Sequence, residues 1–470
     1  MGLRTGDQYR ASLRDGRVLW YQGKRVDCVL DHPELRVAVD HSAIDFEVGH
    51  DPAHSAAAVA TDPETGERYS AYYRIPRSTD DLLERMRLIE LTTALGGTLL
   101  SIRDVGSDAM FALLGLLQGE ELERLRAFYL RVRADDLAVA VAQTDVKGDR
   151  SKAPHQQADP DLHVHVVDRS DAGIIVRGAK VHTSLTPNCN EILVLPTRAM
   201  KPEDADYAVA FAVTPDTPGV SMYVSPYSAG ERHPWEYPAS SRHKMLETLT
   251  VFDDVFVPWE RVFCDRRPEL AGPMALAFVE YHRFTAVSYK LPLLDALVGS
   301  AAEIARMNGI VGAGHIRDKL TQLVIYNETV RTLIEAAARR GQVGPDGYCR
   351  PDSATTNIAK YTFATGFHDA VRMVQDCAGG LLVTGPGGAD WDNPEIRPVL
   401  EKYFAAAAPA AERLAMMNLI SDLTVREFGG YHAVLAVHAE GSIEAEKMQI
   451  FRAYDAGRAL RLARELAGLD

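Results

Sequence analysis

The sequence predicts an α+β protein in three parts: an N-terminal α-helical domain over residues 1–143, a middle β-barrel domain over 144–266 and a C-terminal four-helix bundle over 267–470. Two observations carry the prediction. The hydrophobic period falls from helical to two near Asp161 and returns to helical after the stretch GPMALAF. Within the middle block, short β-branched runs are separated by turns rich in Pro, Gly, Asp and Asn.

The first third reads as helix. In STDDLLERMRLIELTTALGG, Ser78 and Asp81 make a capping-box pattern, apolar residues recur at helical spacing, and Gly96 and Gly97 end the run. ELERLRAFYLRVRADDLAVAVAQ continues the helical pattern to Gln143. In the middle block LHVHVV, GIIVRGAKVH, EILVLP, YAVAFAV, VSMYVS and LTVFDDVFVP predict a small antiparallel barrel or sandwich. After it, PLLDALVGSAAEIARM, HIRDKLTQLVIYNETVRTLIEAAARR, NIAKYTFATGFHDAVRMV and IEAEKMQIFRAYDAGRALRLARELAG are long amphipathic helices joined by short connectors. A ligand cleft is expected where the three parts meet, because sites favour such junctions.

Composition bounds the function. A chain of 470 residues, 46% hydrophobic and 25% charged, is that of a soluble globular protein with more than one core. Its net charge of -14, with basic residues interspersed among acidic ones, argues against a nucleic-acid partner. No apolar run approaches the roughly 20 residues that span a bilayer. The polar start MGLRTGDQYRASLRDGR lacks the apolar core of a signal peptide, so no membrane association and a cytoplasmic location are expected. Five scattered cysteines without a CxxC pair suggest reduced structural thiols and no metal site built from local Cys pairs.

Few motifs carry chemistry by themselves. The loop TDVKGDRSKAP, Thr144 to Pro154, is open to two readings: a solvated turn, or a nest for the phosphates or carbonyls of a cofactor. GIVGAGH lies between helices and so fails as a dinucleotide fingerprint, and TGPGGAD lacks the Lys-Ser/Thr of a phosphate loop. His163 and His165 share one strand face without a third ligand, and read as solvent-facing. EYHRFTAVSYK sets Tyr281, His282, Arg283, Tyr289 and Lys290 on one helix, as a polar seam or as a site.

Taken together and in order, RTGDQYRASLRDGRVLWYQGKRVDCVLDHPELR, TDVKGDRSKAPHQQADPD, DAGIIVRGAKVHTS, VFDDVFVPWERVF, YHRF and CAGGLLVTGP resemble the 4-hydroxyphenylacetate 3-monooxygenase large-component family, which also contains 4-hydroxybutyryl-CoA dehydratase. The resemblance implies an acyl-CoA dehydrogenase-like subunit, a homotetramer and an FAD cofactor. It implies that Gln143, Thr144, Lys147, Gly148, Asp149, Arg150 and Ser151 lie against the flavin, with Thr183 and Ser184 approaching from the β domain and Gly441 and Ser442 from the C-terminal segment. Donors around the flavin would stabilise negative charge on its reduced form.

The two branches of the family imply different chemistry. The dehydratase branch holds a [4Fe-4S] cluster at positions that fall here on Leu100, Asp104, His282 and Tyr289, and only the histidine remains. Its glutamate base falls near Leu435, although Lys290 matches. The oxygenase branch takes FADH2 from a separate NAD(P)H-flavin reductase and uses molecular oxygen to hydroxylate a phenol through a flavin C4a-hydroperoxide. Its phenol-gripping residues fall near Val105, Ala109 and Val141, so a different substrate is implied. The resulting expectation is an FADH2-dependent monooxygenase with no bound metal, in which His282, Arg103, Tyr289 and Lys290 line the substrate side: His282 as proton donor or acceptor, Arg103 as anion binder. The alternatives are a cluster-free FAD enzyme acting on an acyl-CoA and a flavin-less structural relative.

Overall fold

A computed structural model describes residues 2–469. The N-terminal segment contains helices α1 (Gly6–Ala11), α2 (Pro33–Glu47), α3 (Ser55–Ala58), α4 (Thr79–Leu95), α5 (Asp104–Leu114) and α6 (Gly119–Ala134). Strands β1 (Val18–Tyr21), β2 (Lys24–Val26), β3 (Val59–Thr61), β4 (Arg68–Ser70) and β5 (Val139–Ala142) interrupt them. The Ser78 hydroxyl caps α4 by accepting the Asp81 amide at 3.2 Å, and the helix stops at Gly96, as the capping pattern anticipates. α5 is buried along almost its whole length and lies against β5. Gly106 makes that approach possible, since a Cβ there would meet the Val139 carbonyl oxygen at 2.3 Å.

The middle of the chain supplies β6 (His165–Ser170), β7 (Gly173–Val181), β8 (Glu191–Val194), β9 (Ala210–Val213), β10 (Val220–Val224), β11 (Thr248–Pro258) and β12 (Val262–Cys264). These strands form no closed barrel. They build a six-stranded sheet, β2-β1-β10-β11-β7-β6, and a four-stranded sheet, β12-β9-β8-β5. β1 runs parallel to β10, and β5 parallel to β8, so the expected antiparallel pattern is broken by strands from the segment read as helical. The reason is physical: β5 is the four-residue run VAVA, buried at every position, and periodicity cannot separate such a run from buried helix.

The C-terminal part holds α7 (Pro268–Met307), α8 (Gly314–Arg339), the small ribbon β13 (Gln342–Val343) and β14 (Cys349–Arg350), α9 (Ser353–Ala378), α10 (Leu381–Thr384), α11 (Gly388–Asp392), α12 (Arg397–Tyr403), α13 (Ala410–Thr424), α14 (Glu427–His438), α15 (Ile443–Ala453) and α16 (Gly457–Leu466). α7 has 40 residues, about 60 Å at 1.5 Å per residue. It packs on α4 and α5 as well as on α8, α9 and α13, and so ties the N-terminal helices to the bundle. Phe284, Val287, Leu291 and Leu294 form its buried face. No helix among the described residues is long and apolar enough to cross a membrane.

Gly106→Ala is expected to lower the free energy of unfolding by about 1–3 kcal/mol through overpacking of α5 on β5. Urea denaturation measures this; an unchanged midpoint would show that the contact can relax.

Candidate active site

One long helix presents the chemistry. On α7, His282 and Thr285 lie one turn apart and both reach Asp108 of α5, which is fully buried. Asp108 Oδ1 accepts the Arg85 guanidinium at 2.7 Å and the Thr285 hydroxyl at 2.9 Å, while Oδ2 lies 3.3 Å from His282 Nδ1. The imidazole stacks on Phe278 with 4.9 Å between centroids. A carboxylate on Nδ1 fixes which nitrogen carries the proton and leaves Nε2 for other work.

Further along α7, Tyr289 and Lys290 meet Glu440 at the turn between α14 and α15. Glu440 accepts from Lys290 Nζ at 2.8 Å and from the Tyr289 hydroxyl, with Lys360 of α9 at 3.8 Å. Lys360 also pairs with buried Glu446 of α15. Burial pushes the Glu440 carboxyl up, but the ammonium groups of Lys290 and Lys360 reverse this and hold it at about 2. Burial lowers Lys290, opposed by Glu440. The turn is demanding: Glu440 has φ 55° and Gly441 φ 108°. A Cβ on Gly441 would meet Arg283 Nη2 at 2.5 Å, and Arg283 Nε donates to the Glu440 carbonyl at 2.9 Å. Ser442 caps α15 by accepting the Ala445 amide at 3.3 Å.

The β sheets reach the same helices through Glu247. Its carboxylate accepts Ser184 at 2.8 Å and Tyr431 of α14 at 2.6 Å. Thr183 sits beside Ser184 in a buried cluster of hydroxyls, 2.7 Å from Thr250 and 2.5 Å from Thr248. His432, next to Tyr431, lies 3.2 Å from the Thr98 hydroxyl, and burial followed by the Lys290 charge pushes it down to about 3.

The loop after β5 is held at its root and open at its tip. Lys180 Nζ donates to the carbonyls of Gln143 and Leu195 at 2.8 and 2.9 Å and pairs with Asp145 at 2.6 Å, while the Val181 amide binds the Thr144 carbonyl. Lys147, Gly148, Asp149, Arg150 and Ser151 are exposed. Asp149 accepts the Ser151 hydroxyl at 2.6 Å, and Gln157 braces the turn, in which Gly148 has φ 54°. Among the described residues, neither Lys147 nor Arg150 has an ion-pair or hydrogen-bond partner for its side chain.

Two readings of the sequence change. Arg103 is not an open anion binder: its guanidinium is buried against the Phe46 ring, pairs with Asp136 at 2.7 Å and donates to Ser70 at 2.8 Å. His163 and His165 are buried, not solvated, and His165 stacks on Tyr207. Asp108, Glu440, Glu247, Lys360 and His432 enter the site without any signal in local sequence. Nor do the residues at the four cluster positions suit iron and sulfide. The Leu100 carbonyl accepts from His41, burial pushes the Asp104 carboxyl well above its ordinary range and its Oδ2 accepts the Ser101 amide, and Tyr289 is engaged by Glu440. Four of the five cysteines are buried and dispersed, and no group of three or more His, Cys, Asp or Glu among the described residues is placed to hold a metal ion.

Helices, two sheets and a long-helix bundle in this order make an acyl-CoA dehydrogenase-like fold; glutaryl-coenzyme A dehydrogenase superposes with a TM-score of 0.51 at 14% identity, over 83% of this chain and 81% of that one, a likeness of fold alone. The models for the 4-hydroxyphenylacetate 3-hydroxylase N-terminal and C-terminal regions match residues 5–264 and 271–468. The chain belongs to this family. It is 31% identical to 4-hydroxybutyryl-CoA dehydratase/vinylacetyl-CoA-Delta-isomerase of Clostridium aminobutyricum, over 99% of this chain and 100% of that protein. It is 30% identical to the 4-hydroxyphenylacetate 3-monooxygenase oxygenase component of Thermus thermophilus, over 91% and 89%. Among solved structures, the 4-hydroxybutyryl-CoA dehydratase of N. maritimus gives a TM-score of 0.92 at 30% identity, over 100% of this chain and 95% of that one. An oxygenase component of 4-hydroxyphenylacetate 3-monooxygenase complexed with FAD gives 0.91 at 26% identity, over 98% of each.

Burial holds His41 at about 4 and His432 at about 3, against 6.5 for a free imidazole. Because the folded values are depressed, their contribution to stability is complete above 6.5 and is lost as pH falls toward 4 and 3. Each is expected to cost roughly 1 kcal/mol between about pH 7.5 and 5.5. Urea midpoints across that range test this, and His432→Gln should flatten the slope.

Proposed function

We propose that the protein is the oxygenase component of a two-component monooxygenase that uses FADH2 and molecular oxygen to hydroxylate a phenolic small molecule. In this reading it works in the cytoplasm as a homotetramer, with a separate NAD(P)H-flavin reductase supplying the cofactor. The observation that carries the reading is the Asp108–His282 pair, 3.3 Å apart. A base with a fixed tautomer is what deprotonation of a phenol requires.

The chain's own groups fit a flavin. The unpartnered cations Lys147 and Arg150 on an exposed loop suit the anionic part of such a cofactor, and Ser184 offers a hydroxyl already oriented by Glu247. Reduced flavin, when bound, supplies the electrons that activate oxygen. His282 Nε2 takes the phenolic proton, which raises electron density on the ring carbon beside the oxygen. Asp108 balances the imidazolium that forms, and Arg85 keeps Asp108 in place. Lys290 and Tyr289 hold Glu440, whose charge attracts His282 in its protonated state. The buried surroundings of Tyr289, Lys290 and His432 keep water from the same face.

Similarity to a dehydratase along the full chain favours a second reading, a cluster-free FAD enzyme acting on an acyl-CoA. Two measurements separate them. Under the oxygenase reading, anaerobic titration gives tighter binding of FADH2 than of FAD, and turnover with a phenol consumes oxygen. Under the other, oxidised FAD is retained and an acyl-CoA is converted without oxygen.

His282→Ala is expected to lower kcat/KM about 10²–10⁴-fold. Asp108→Asn should also lower it, by about tenfold or more, because the imidazole loses the carboxylate that fixes its tautomer and orientation. Variants within a fewfold of the parent would mean that the pair is only structural.

A further inference from the structure

Around α5 the buried acids outnumber the buried bases: Asp45, Asp104, Asp108 and Asp136 stand against Arg85 and Arg103. Arg85 is spent on Asp108 at 2.7 Å, and Arg103 on Asp136 at 2.7 Å. Among the described residues, neither guanidinium forms an ion pair with Asp45 or Asp104. Ser101 joins these two acids: its amide donates to Asp104 Oδ2 at 3.2 Å and its hydroxyl to Asp45. Asp104 Oδ1 is left over, buried and without a hydrogen-bond partner. Two unpaired carboxylates held by one serine out of water do not both stay ionised. Burial pushes the Asp104 carboxyl well above its ordinary range; Arg85 opposes this, and Asp45 and Asp108 add to it. Burial raises Asp45 only to about 6, with Arg103 opposing, so the proton belongs to Asp104. Its Oδ2 already accepts, which leaves Oδ1 to carry a hydrogen that no protein group receives.

The position gives that hydrogen a use. Asp104 precedes Asp108 by one turn of α5, and α5 packs along α7. Asp108 holds His282, while Asp104 is close enough to Tyr289 for its charge to be felt there. Resting on the oxygenase reading of this site, we propose that Asp104 is an uncharged hydrogen-bond donor to the substrate, and that it selects a phenol whose side chain carries a neutral carbonyl, as an amide or thioester, over one that carries a free carboxylate. A carbonyl oxygen takes the Oδ1 hydrogen and satisfies the last polar atom of the cluster. A carboxylate would add a further negative charge beside Asp45 and Asp108, with both guanidinium groups already paired.

Infrared difference spectra of the full chain at neutral pH read the proton without flavin or oxygen. The wild type is expected to show the C=O stretch of an un-ionised carboxyl, which moves in deuterated water and disappears in Asp104→Asn but not in Asp45→Asn. No such band in the wild type, or a band removed by Asp45→Asn alone, would overturn the proposal. Calorimetry on the chain supplied with FAD, with 4-hydroxyphenylacetamide and 4-hydroxyphenylacetate as probes, reads the selection. The amide is expected to bind about tenfold or more tightly than the acid. Asp104→Asn, which keeps an uncharged donor, should hold the amide within a fewfold of the wild type, and Asp104→Leu should weaken it about tenfold. An acid bound as tightly as the amide, an amide indifferent to Asp104→Leu, or binding of neither probe would overturn the carbonyl as the group that Asp104 meets. A chain that consumes no oxygen with any phenol yet keeps the band would sink the oxygenase reading alone, whereas a chain that hydroxylates a phenol and lacks the band would sink this inference alone.

Discussion

The site is organised around a carboxylate that water does not reach. Glu440 is 3% exposed and stands between Lys290 at 2.8 Å and Lys360 at 3.8 Å, with the Tyr289 hydroxyl as a third partner. Removing such ions from water costs several kcal/mol each, and only mutual pairing offsets it. The cations are therefore fixed wherever the anion is fixed. α7, α9 and the turn before α15 must arrive together, and the left-handed backbone at Glu440 and Gly441 is tolerated because Arg283 and the two lysines overdetermine it.

A second buried acid sets the other end of the site. Asp108 draws Arg85 from α4, Thr285 and His282 from α7, and is itself carried by α5, whose close seat on β5 depends on Gly106. The histidine is thus oriented by one buried carboxylate and lies within the electrostatic reach of a second, Glu440. Glu247 connects the same bundle to Ser184 on the sheet side. Elements from all three regions of the chain thus meet around α7 and α14, the kind of junction at which a cofactor and a substrate can be held together.

Much of the fold was legible because long helices announce themselves by period and caps: Ser78, Gly96 and the amphipathic runs after Pro268 suffice. The strands β1 and β5 were not, since four apolar residues carry no distinguishable period. His282, Tyr289 and Lys290 could be singled out as polar residues within one apolar helix. Their partners Asp108 and Glu440 are 174 and 150 residues away, and only the folded chain brings them there. Arg103 misled for the same reason: its partners Asp136, Ser70 and Phe46 are remote in sequence, so an internal ion pair looked like a free cation. Alternation misplaced His163 and His165, because it shows that two faces differ but not that one is wet.

The central claim is that this set of residues serves oxygen chemistry on reduced flavin. It is tested most directly by loading the protein anaerobically with FADH2, mixing it rapidly with oxygenated buffer and recording the flavin spectrum. The account predicts reoxidation in distinct spectral phases, slowed relative to free FADH2, with the later phase altered in His282→Ala. Reoxidation in a single phase as fast as that of free flavin, with or without a phenol present, would contradict it.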